Sequence, residues 1–92
     1  MSEARKQVVV VNQRGLHARA SAKFVGKVAE LPESCRVRVG KGDNFAAGGS
    51  ILGLMMLGAA KGDTVEIIVE GEEADAVLAD LSAMVEDGFG EP

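Results

Sequence analysis

Two side chains near the start of the chain, His17 and Arg19, have the types and spacing needed for phosphoryl chemistry. His17 is the only histidine in the 92 residues. A neutral imidazole can act as a nucleophile near pH 7. The always-charged guanidinium of Arg19 could bind the oxygens of a phosphoryl group carried on the ring. A separate enzyme would be sufficient as the donor, so this role needs no catalytic triad. The alternative is that His17 is only a helix cap or a surface residue.

The elements around His17 predict that it lies where a strand ends and a helix begins. The β-branched run Val8–Val11 is typical of a strand, and Asn12–Gly15 is typical of a turn. The first N–H groups of a helix have no partner inside it and carry partial positive charge, so they bind phosphate. The apolar stripe predicted for this helix consists of Ala18, Ala22, Val25 and Ala29.

A second informative stretch, residues 48–57, predicts a short helix that is apolar on almost every side. Ser50 is a suitable N-cap for it. At about 100° per residue, its apolar side chains divide into Ile51, Leu54 and Leu57 on one side and Leu52, Met55 and Met56 on the other. Only one side can face the core. The other side is either a binding site for a partner or is covered by a second helix.

The remaining pattern predicts one domain, residues 1–92, of the α+β class, with an antiparallel sheet in a two-layer sandwich. The first helix should end near Leu31–Pro32, because the residue before a proline is disfavoured in helical conformation. The other predicted elements are a strand over Cys35–Val39 that forms a hairpin with Asn44–Ala47, a strand over Thr64–Glu70 and a helix over Glu72–Asp87.

Charge is distributed unequally along the chain. Residues 1–41 hold nine Lys and Arg and three acids, whereas residues 42–92 hold one Lys and eleven acids, giving the net charge of −4. Arg19, Lys23 and Lys27 follow His17 along the first helix and favour a docking surface for acidic proteins. An ordinary solvated helix face is the alternative. The absence of Trp and Tyr argues against a stacking surface for nucleic acid.

The single cysteine, Cys35, excludes an intramolecular disulfide and is typical of a reducing cytosol. The start of the chain is charged and its longest apolar run is short, so we expect neither a signal peptide nor a membrane span. We therefore expect a cytoplasmic protein, without metal or cofactor.

Two motifs, Gly-Leu-His-Ala-Arg-Ala at residues 15–20 and Gly-Ser-Ile-Leu-Gly-Leu-Met-Met-Leu at residues 49–57, resemble the histidine-containing phosphocarrier (HPr) family of the phosphoenolpyruvate phosphotransferase system. The resemblance implies an open-faced sandwich of order β-α-β-β-α-β-α, strand order 1-4-2-3 and three helices on one face. It implies that His17 carries the phosphoryl group, with Ala18 and Arg19 binding it. Ala20 stands where the family usually has proline.

The resemblance also implies partners. The donor would be Enzyme I, the acceptors would be A-type domains, and the protein would be a monomeric carrier without turnover of its own. In some members of the family a serine kinase/phosphatase acts on the residue that Ser50 matches, so Ser50 is the implied regulatory phosphorylation site. The implied partner contacts are Ala20, Lys23, Phe24, Lys27, Ile51, Leu52 and Met55. The alternative function is a regulatory interaction module that acts through the Ser50 helix. Residues 54–57, 60–62 and 87–91 look more like the nitrogen-regulatory branch than the sugar-uptake branch.

Overall fold

The computed structural model, which describes residues 2–91, confirms the predicted order of strands and helices. A short 3₁₀ turn follows the last helix. The elements are β1 (Ser2–Val9), α1 (Ala18–Ala29), β2 (Arg36–Lys41), β3 (Asn44–Ala47), α2 (Ile51–Met56), β4 (Thr64–Gly71), α3 (Ala74–Glu86) and the 3₁₀ turn (Gly88–Gly90).

The four strands form one antiparallel sheet in the order β1-β4-β2-β3, as the family resemblance implies. The predicted hairpin joins β2 to β3 through the two-residue turn Gly42–Asp43. Gly42 has φ +59°, a conformation that glycine adopts without the steric cost of a Cβ atom. The helices cover one face of this sheet, so the fold is the predicted open-faced α+β sandwich.

The central strand β4 shows why the sheet face opposite the helices can be exposed to solvent. Its residue Ile68 is only 2% exposed although it points away from the helices. Ile68 pairs with Arg5 on one side and Arg38 on the other, and the aliphatic stems of such arginines can cover an apolar neighbour. Their guanidinium groups lie 3.6 Å from the carboxylates of Glu66 and Glu70, respectively. The open face is therefore a charged surface over one buried isoleucine.

The core lies between the sheet and the helices, but α1 contacts it through a different stripe from the predicted one. Ala18, Ala22 and Ala29 are exposed. The buried residues of α1 are Ala20, Ser21 and Phe24. Burying the large Phe24 ring contributes about 1.5–3 kcal/mol, which exceeds what alanines can supply, so Phe24 sets the rotation of the helix. The α3 helix contributes Ala74, Val77, Leu78, Leu81 and Val85 to the core, with Met84 partly buried beside them.

Several predicted boundaries were wrong by a few residues: β2 continues past Val39 to Lys41, and α3 begins at Ala74 rather than Glu72. β1 spans Ser2–Val9 rather than Val8–Val11. The exposed Lys6 lies between the buried Ala4 and Val8 on the side of the strand that faces the helices, and it hides their alternation. Val10 lies beyond the strand, fully buried, and its carbonyl accepts a hydrogen bond from Gly62 N at 2.7 Å. α1 ends at Ala29, two residues before the predicted end. Within residues 2–91, the helices are too short or too polar to cross a bilayer.

Candidate functional site

His17 is the N-cap of α1, as its position in the sequence predicts. Its carbonyl accepts the first helical hydrogen bond, from Ser21 N at 2.9 Å. Its ring nitrogen Nδ1 accepts a hydrogen bond from the backbone N–H of Arg19, with an N···N distance of 3.3 Å. The amides of Ala18, Arg19 and Ala20 precede the first helical bond, so they are the N–H groups available to an anion at this helix end.

The turn before α1 holds His17 in place through a glycine that no other residue can replace without strain. Gly15 has φ +62°, and a Cβ atom there would overlap the carbonyl oxygen of Ala59. That same carbonyl accepts a hydrogen bond from Leu16 N at 2.9 Å. The turn is therefore pinned against the loop after α2, which fixes where His17 enters the helix.

The second ring nitrogen of His17 contacts a carboxylate from the far end of the chain. Nε2 lies 3.0 Å from Oε1 and 3.2 Å from Oε2 of Glu91. A carboxylate only accepts, so Nε2 must carry the proton, and Nδ1 must be unprotonated to accept from Arg19 N. The two contacts together select the neutral Nε2–H tautomer, with the Nδ1 lone pair directed at the helix N-terminus.

Asn12 connects Glu91 to the turn before α1. Its side chain is 1% exposed, and Nδ2 donates to the Gly15 carbonyl at 2.8 Å and to Glu91 Oε1 at 3.1 Å. Both hydrogens of the Asn12 amide are thus used, one on the turn before α1 and one on the Glu91 carboxylate. Asn12 therefore fixes the Glu91 carboxylate relative to His17.

The C-terminal segment, Gly88–Glu91, is anchored independently of these polar contacts. Phe89 is 4% exposed, and its carbonyl accepts a hydrogen bond from Lys23 Nζ at 2.8 Å.

The hydrogen bond from His17 lowers the pKa of the Glu91 carboxyl group below its usual range, and that from Asn12 acts in the same direction. Glu91 is therefore ionised at neutral pH where it meets the imidazole.

The surface in front of His17 is an open depression with two arginines in its lining. The lining residues are Gln13, Arg14, His17, Arg19 and Glu91. Two arginine side chains and the His17 ring thus share one depression at the N-terminus of α1. Such a set of groups is suited to binding a group that carries several negative oxygens. This geometry is compatible with the phosphoryl-binding role predicted for His17 and Arg19, which stays a prediction.

Four residues of this arrangement were not assigned to the site from the sequence: Asn12, Gln13, Arg14 and Glu91. Arg14 offered a signal, because it is a cation in the same predicted turn as Gly15. Asn12 resembled an ordinary turn residue. Glu91 offered no local signal, since it lies 74 residues from His17 in sequence.

The α2 helix has an exposed apolar side, so of the two alternatives left open by the sequence, coverage by a second helix does not occur within residues 2–91. Ser50 is its N-cap, and Ser50 Oγ accepts from Gly53 N at 2.9 Å. Leu54 and Leu57 are buried, so this side faces the core, but Ile51, which the periodicity places on the same side, is 41% exposed. The exposed side chains, which we call the α2 apolar patch, are Ile51, Leu52, Met55 and Met56.

Two of the predicted partner contacts need correction. Ala20 and Phe24 are 0% and 2% exposed, because they form the core face of α1, so neither is available to a partner in this structure. Lys27 is half-buried, and the Lys23 ammonium is bound to the Phe89 carbonyl. Ala18 is exposed at the first position of the helix, where its backbone N–H has no partner within the helix.

Known proteins are similar to this chain in both sequence and fold. The family model described as "PTS HPr component phosphorylation site" matches residues 4–87. The phosphocarrier protein HPr of Pseudomonas aeruginosa is 41% identical over 86 residues, which cover 92% of this chain and 93% of that protein. The phosphocarrier protein NPr of Shewanella violacea is 34% identical, with 99% of this chain and 98% of that protein covered.

A solved structure of HPr-C-His from Thermoanaerobacter tengcongensis superposes with a TM-score of 0.86 at 32% identity, covering 100% of this chain and 99% of that one. The likeness extends over the whole sheet and all helices rather than over a motif alone. The chain therefore belongs to the HPr family of phosphocarrier proteins of the phosphotransferase system.

Proposed function

We propose that this protein accepts a phosphoryl group on Nδ1 of His17 from phosphorylated Enzyme I and passes it to A-type domains. The observation that carries the proposal is the direction of Nδ1. Its lone pair faces the N-terminal amides of α1 at the edge of a depression that also contains Arg14 and Arg19. The other nitrogen, Nε2, is occupied by Glu91.

The transfer requires little rearrangement at the helix end. As the Nδ1–phosphorus bond forms, the bond from phosphorus to the donor breaks and its electron pair leaves with the donor. The Arg19 N–H, which donates to Nδ1 in the free protein, can then donate to a phosphoryl oxygen instead. The helix dipole and the two arginines stabilise the negative oxygens.

We assign docking of both partners to the α2 apolar patch, on a helix that packs against α1. The α2 apolar patch offers a contiguous exposed hydrophobic side of a short helix, and its methionines adapt to differently shaped partners. We assign Ile51, Leu52 and Met55 to partner binding as predicted, and add Met56, which is 77% exposed. Lys27 remains a predicted contact, while Lys23 has an additional intramolecular role.

Ser50 remains the predicted regulatory phosphorylation site. Its Oγ caps α2 and lies at the start of the patch. A phosphate there would gain from the helix N-terminus and place about two negative charges beside the apolar surface. Such a modification would oppose docking of Enzyme I.

The test is incubation of the protein with phosphoenolpyruvate and Enzyme I, followed by intact mass analysis before and after brief acid treatment. We expect one acid-labile phosphoryl group on the wild type and none on His17→Ala. Normal phosphorylation of His17→Ala would refute the assignment of His17. If the wild type stays unmodified with a competent Enzyme I, the alternative of a regulatory module acting through the Ser50 helix is favoured.

A second measurement decides between branches, because the relatives include both an HPr and an NPr. The phosphorylated protein is offered to sugar-specific and to nitrogen-regulatory A-type domains, and the transfer rates are compared. Faster transfer to the nitrogen-regulatory acceptor would support the branch indicated by residues 54–57, 60–62 and 87–91. Faster transfer to the sugar-specific acceptor would exclude it.

A further inference from the structure

The contact between Glu91 and His17 has a geometry that a surface ion pair would not need. Both carboxylate oxygens lie within 3.2 Å of Nε2, and the two side chains are only 14% and 21% exposed, respectively. Glu91 is held from behind by the buried Asn12. An imidazole whose second nitrogen donates to a fixed carboxylate has its tautomer and ring orientation determined by that partner.

We propose that Glu91 is a positioning residue for phosphoryl transfer, which holds His17 as the Nε2–H tautomer and balances the positive charge of the ring while Nδ1 carries the phosphoryl group. Asn12 fixes the carboxylate that performs this role. The proposal rests on the proposed function, since it concerns transfer at the same nitrogen.

The charge balance follows from the bonds that change. Nδ1 attacks phosphorus with its lone pair while Nε2 keeps its proton, so the phosphorylated ring becomes cationic. The ionised carboxylate of Glu91 lies beside that cation. In the onward step the acceptor attacks phosphorus, the Nδ1–phosphorus bond breaks, and its electron pair returns to the ring. Because Nε2 is still protonated, the leaving group is a neutral imidazole rather than an imidazolate.

Two variants separate hydrogen bonding from charge. In Glu91→Gln, the amide oxygen can still accept from Nε2–H, but the negative charge is lost. In Glu91→Ala, both are lost. The C-terminal segment should stay in place in both, since Phe89 remains buried and bonded to Lys23. Glu33→Gln, in the exposed turn after α1, is a matched control that removes one negative charge elsewhere.

The first readout is the ¹⁵N spectrum of the ring of the single histidine, which reports the tautomer without any phosphorylation. We expect the Nε2–H form to dominate in the wild type, Glu91→Gln and Glu33→Gln. In Glu91→Ala the Nδ1–H form should gain population, because only the contact with Arg19 N–H still opposes it. The second readout is the rate of phosphoryl transfer from Enzyme I and onward to an A-type domain. We expect Glu91→Gln and Glu91→Ala to be slower than Glu33→Gln by about tenfold or more, as for other residues that orient a functional imidazole.

Wild-type spectra and wild-type rates in Glu91→Ala would overturn the proposal. A changed tautomer with unchanged rates would also overturn it, because control of the tautomer would then have no effect on transfer. An unphosphorylated wild type would refute the proposed function instead, and the spectra would still test whether Glu91 sets the tautomer.

Discussion

Arg14 and Arg19 flank His17 in the sequence and line the same depression, although only Arg19 belongs to the recognised motif. We expect Arg19→Gln to reduce the rate of phosphoryl transfer by about a hundredfold, as for a donor aimed at developing charge. Arg14→Gln should reduce it by a smaller factor. Arg19→Lys should recover only part of the loss, because lysine keeps the charge but not the planar pair of donors.

The control for both is Arg36→Gln, which removes an exposed positive charge from the open face of the sheet. Transfer rates from Enzyme I, measured for all four variants at equal ionic strength, check the prediction. Equal rates for Arg14→Gln and Arg36→Gln would mean that Arg14 contributes only to the overall charge.

Gly15 provides a stability test of the turn that carries His17. We expect Gly15→Ala to lower the free energy of unfolding by at least about 1–3 kcal/mol, the usual cost of a left-handed residue with a Cβ atom. Gly26→Ala is the matched control, since a Cβ atom there meets no neighbour within 4 Å. In the interior of α1 this change should stabilise the protein by about 0.5–1 kcal/mol. Denaturant unfolding of both variants measures the difference, and equal stabilities would contradict the role of Gly15.

What the sequence supplied at the residue scale was the reactive group and its immediate surroundings. His17 at a helix start and Ser50 as a cap could both be predicted, because capping depends on neighbours one to three residues away. Glu91 and Asn12 could not be assigned to the site, because their contacts depend on how distant parts of the chain meet. The sequence favoured the wrong buried side of α1 for a related reason: alanine is compatible with either environment.

At the scale of elements, α2 combines a buried side with an exposed apolar side in only six residues. We expect Leu52→Ala and Met56→Ala each to raise the KM of Enzyme I for this protein about tenfold, equivalent to ~1.4 kcal/mol of binding free energy. Alanine preserves the helix, so the fold should be retained. The kcat value should change little, because neither side chain lines the depression in front of His17.

The control for α2 is Val9→Ala, a similar truncation of a half-exposed apolar residue on β1. Steady-state phosphorylation at varied concentrations of the carrier separates KM from kcat. If Val9→Ala raises KM as much as Leu52→Ala does, docking is not specific to the α2 apolar patch.

Element types were more predictable than element limits. The α3 helix and the β2–β3 hairpin follow from periodicity and from a glycine turn, and both are present. The limits of β1 were misjudged because Lys6 interrupts the apolar alternation on the side of the strand that faces the helices. Strand order was supplied by the family resemblance alone, since local patterns do not specify which strands pair.

At the scale of the whole molecule, the His17–Glu91 contact joins the start of α1 to the end of the chain, and its pH dependence is the last prediction. The pKa of Glu91 is lowered in the folded protein, mainly by the hydrogen bond from His17. A carboxyl group whose pKa is lower in the folded than in the unfolded state stabilises the fold at pH values above its unfolded-state pKa. That stabilisation is lost as the pH falls below the usual glutamate value of 4.5 and through the lower folded value.

Wild type and Glu91→Gln should therefore differ in the slope of the unfolding free energy against pH in this acidic range. The wild type should lose stability more steeply, because glutamine has no proton to bind. Asp63 also has a lowered pKa, chiefly because Ala60 N donates to its carboxylate, but it is present in both proteins and cancels in the comparison. Denaturant unfolding between pH 6 and the acid limit measures both slopes. Parallel slopes would show that the pKa of Glu91 is the same in the folded and unfolded states. The contact between His17 and Glu91 would then contribute nothing to the free energy of unfolding.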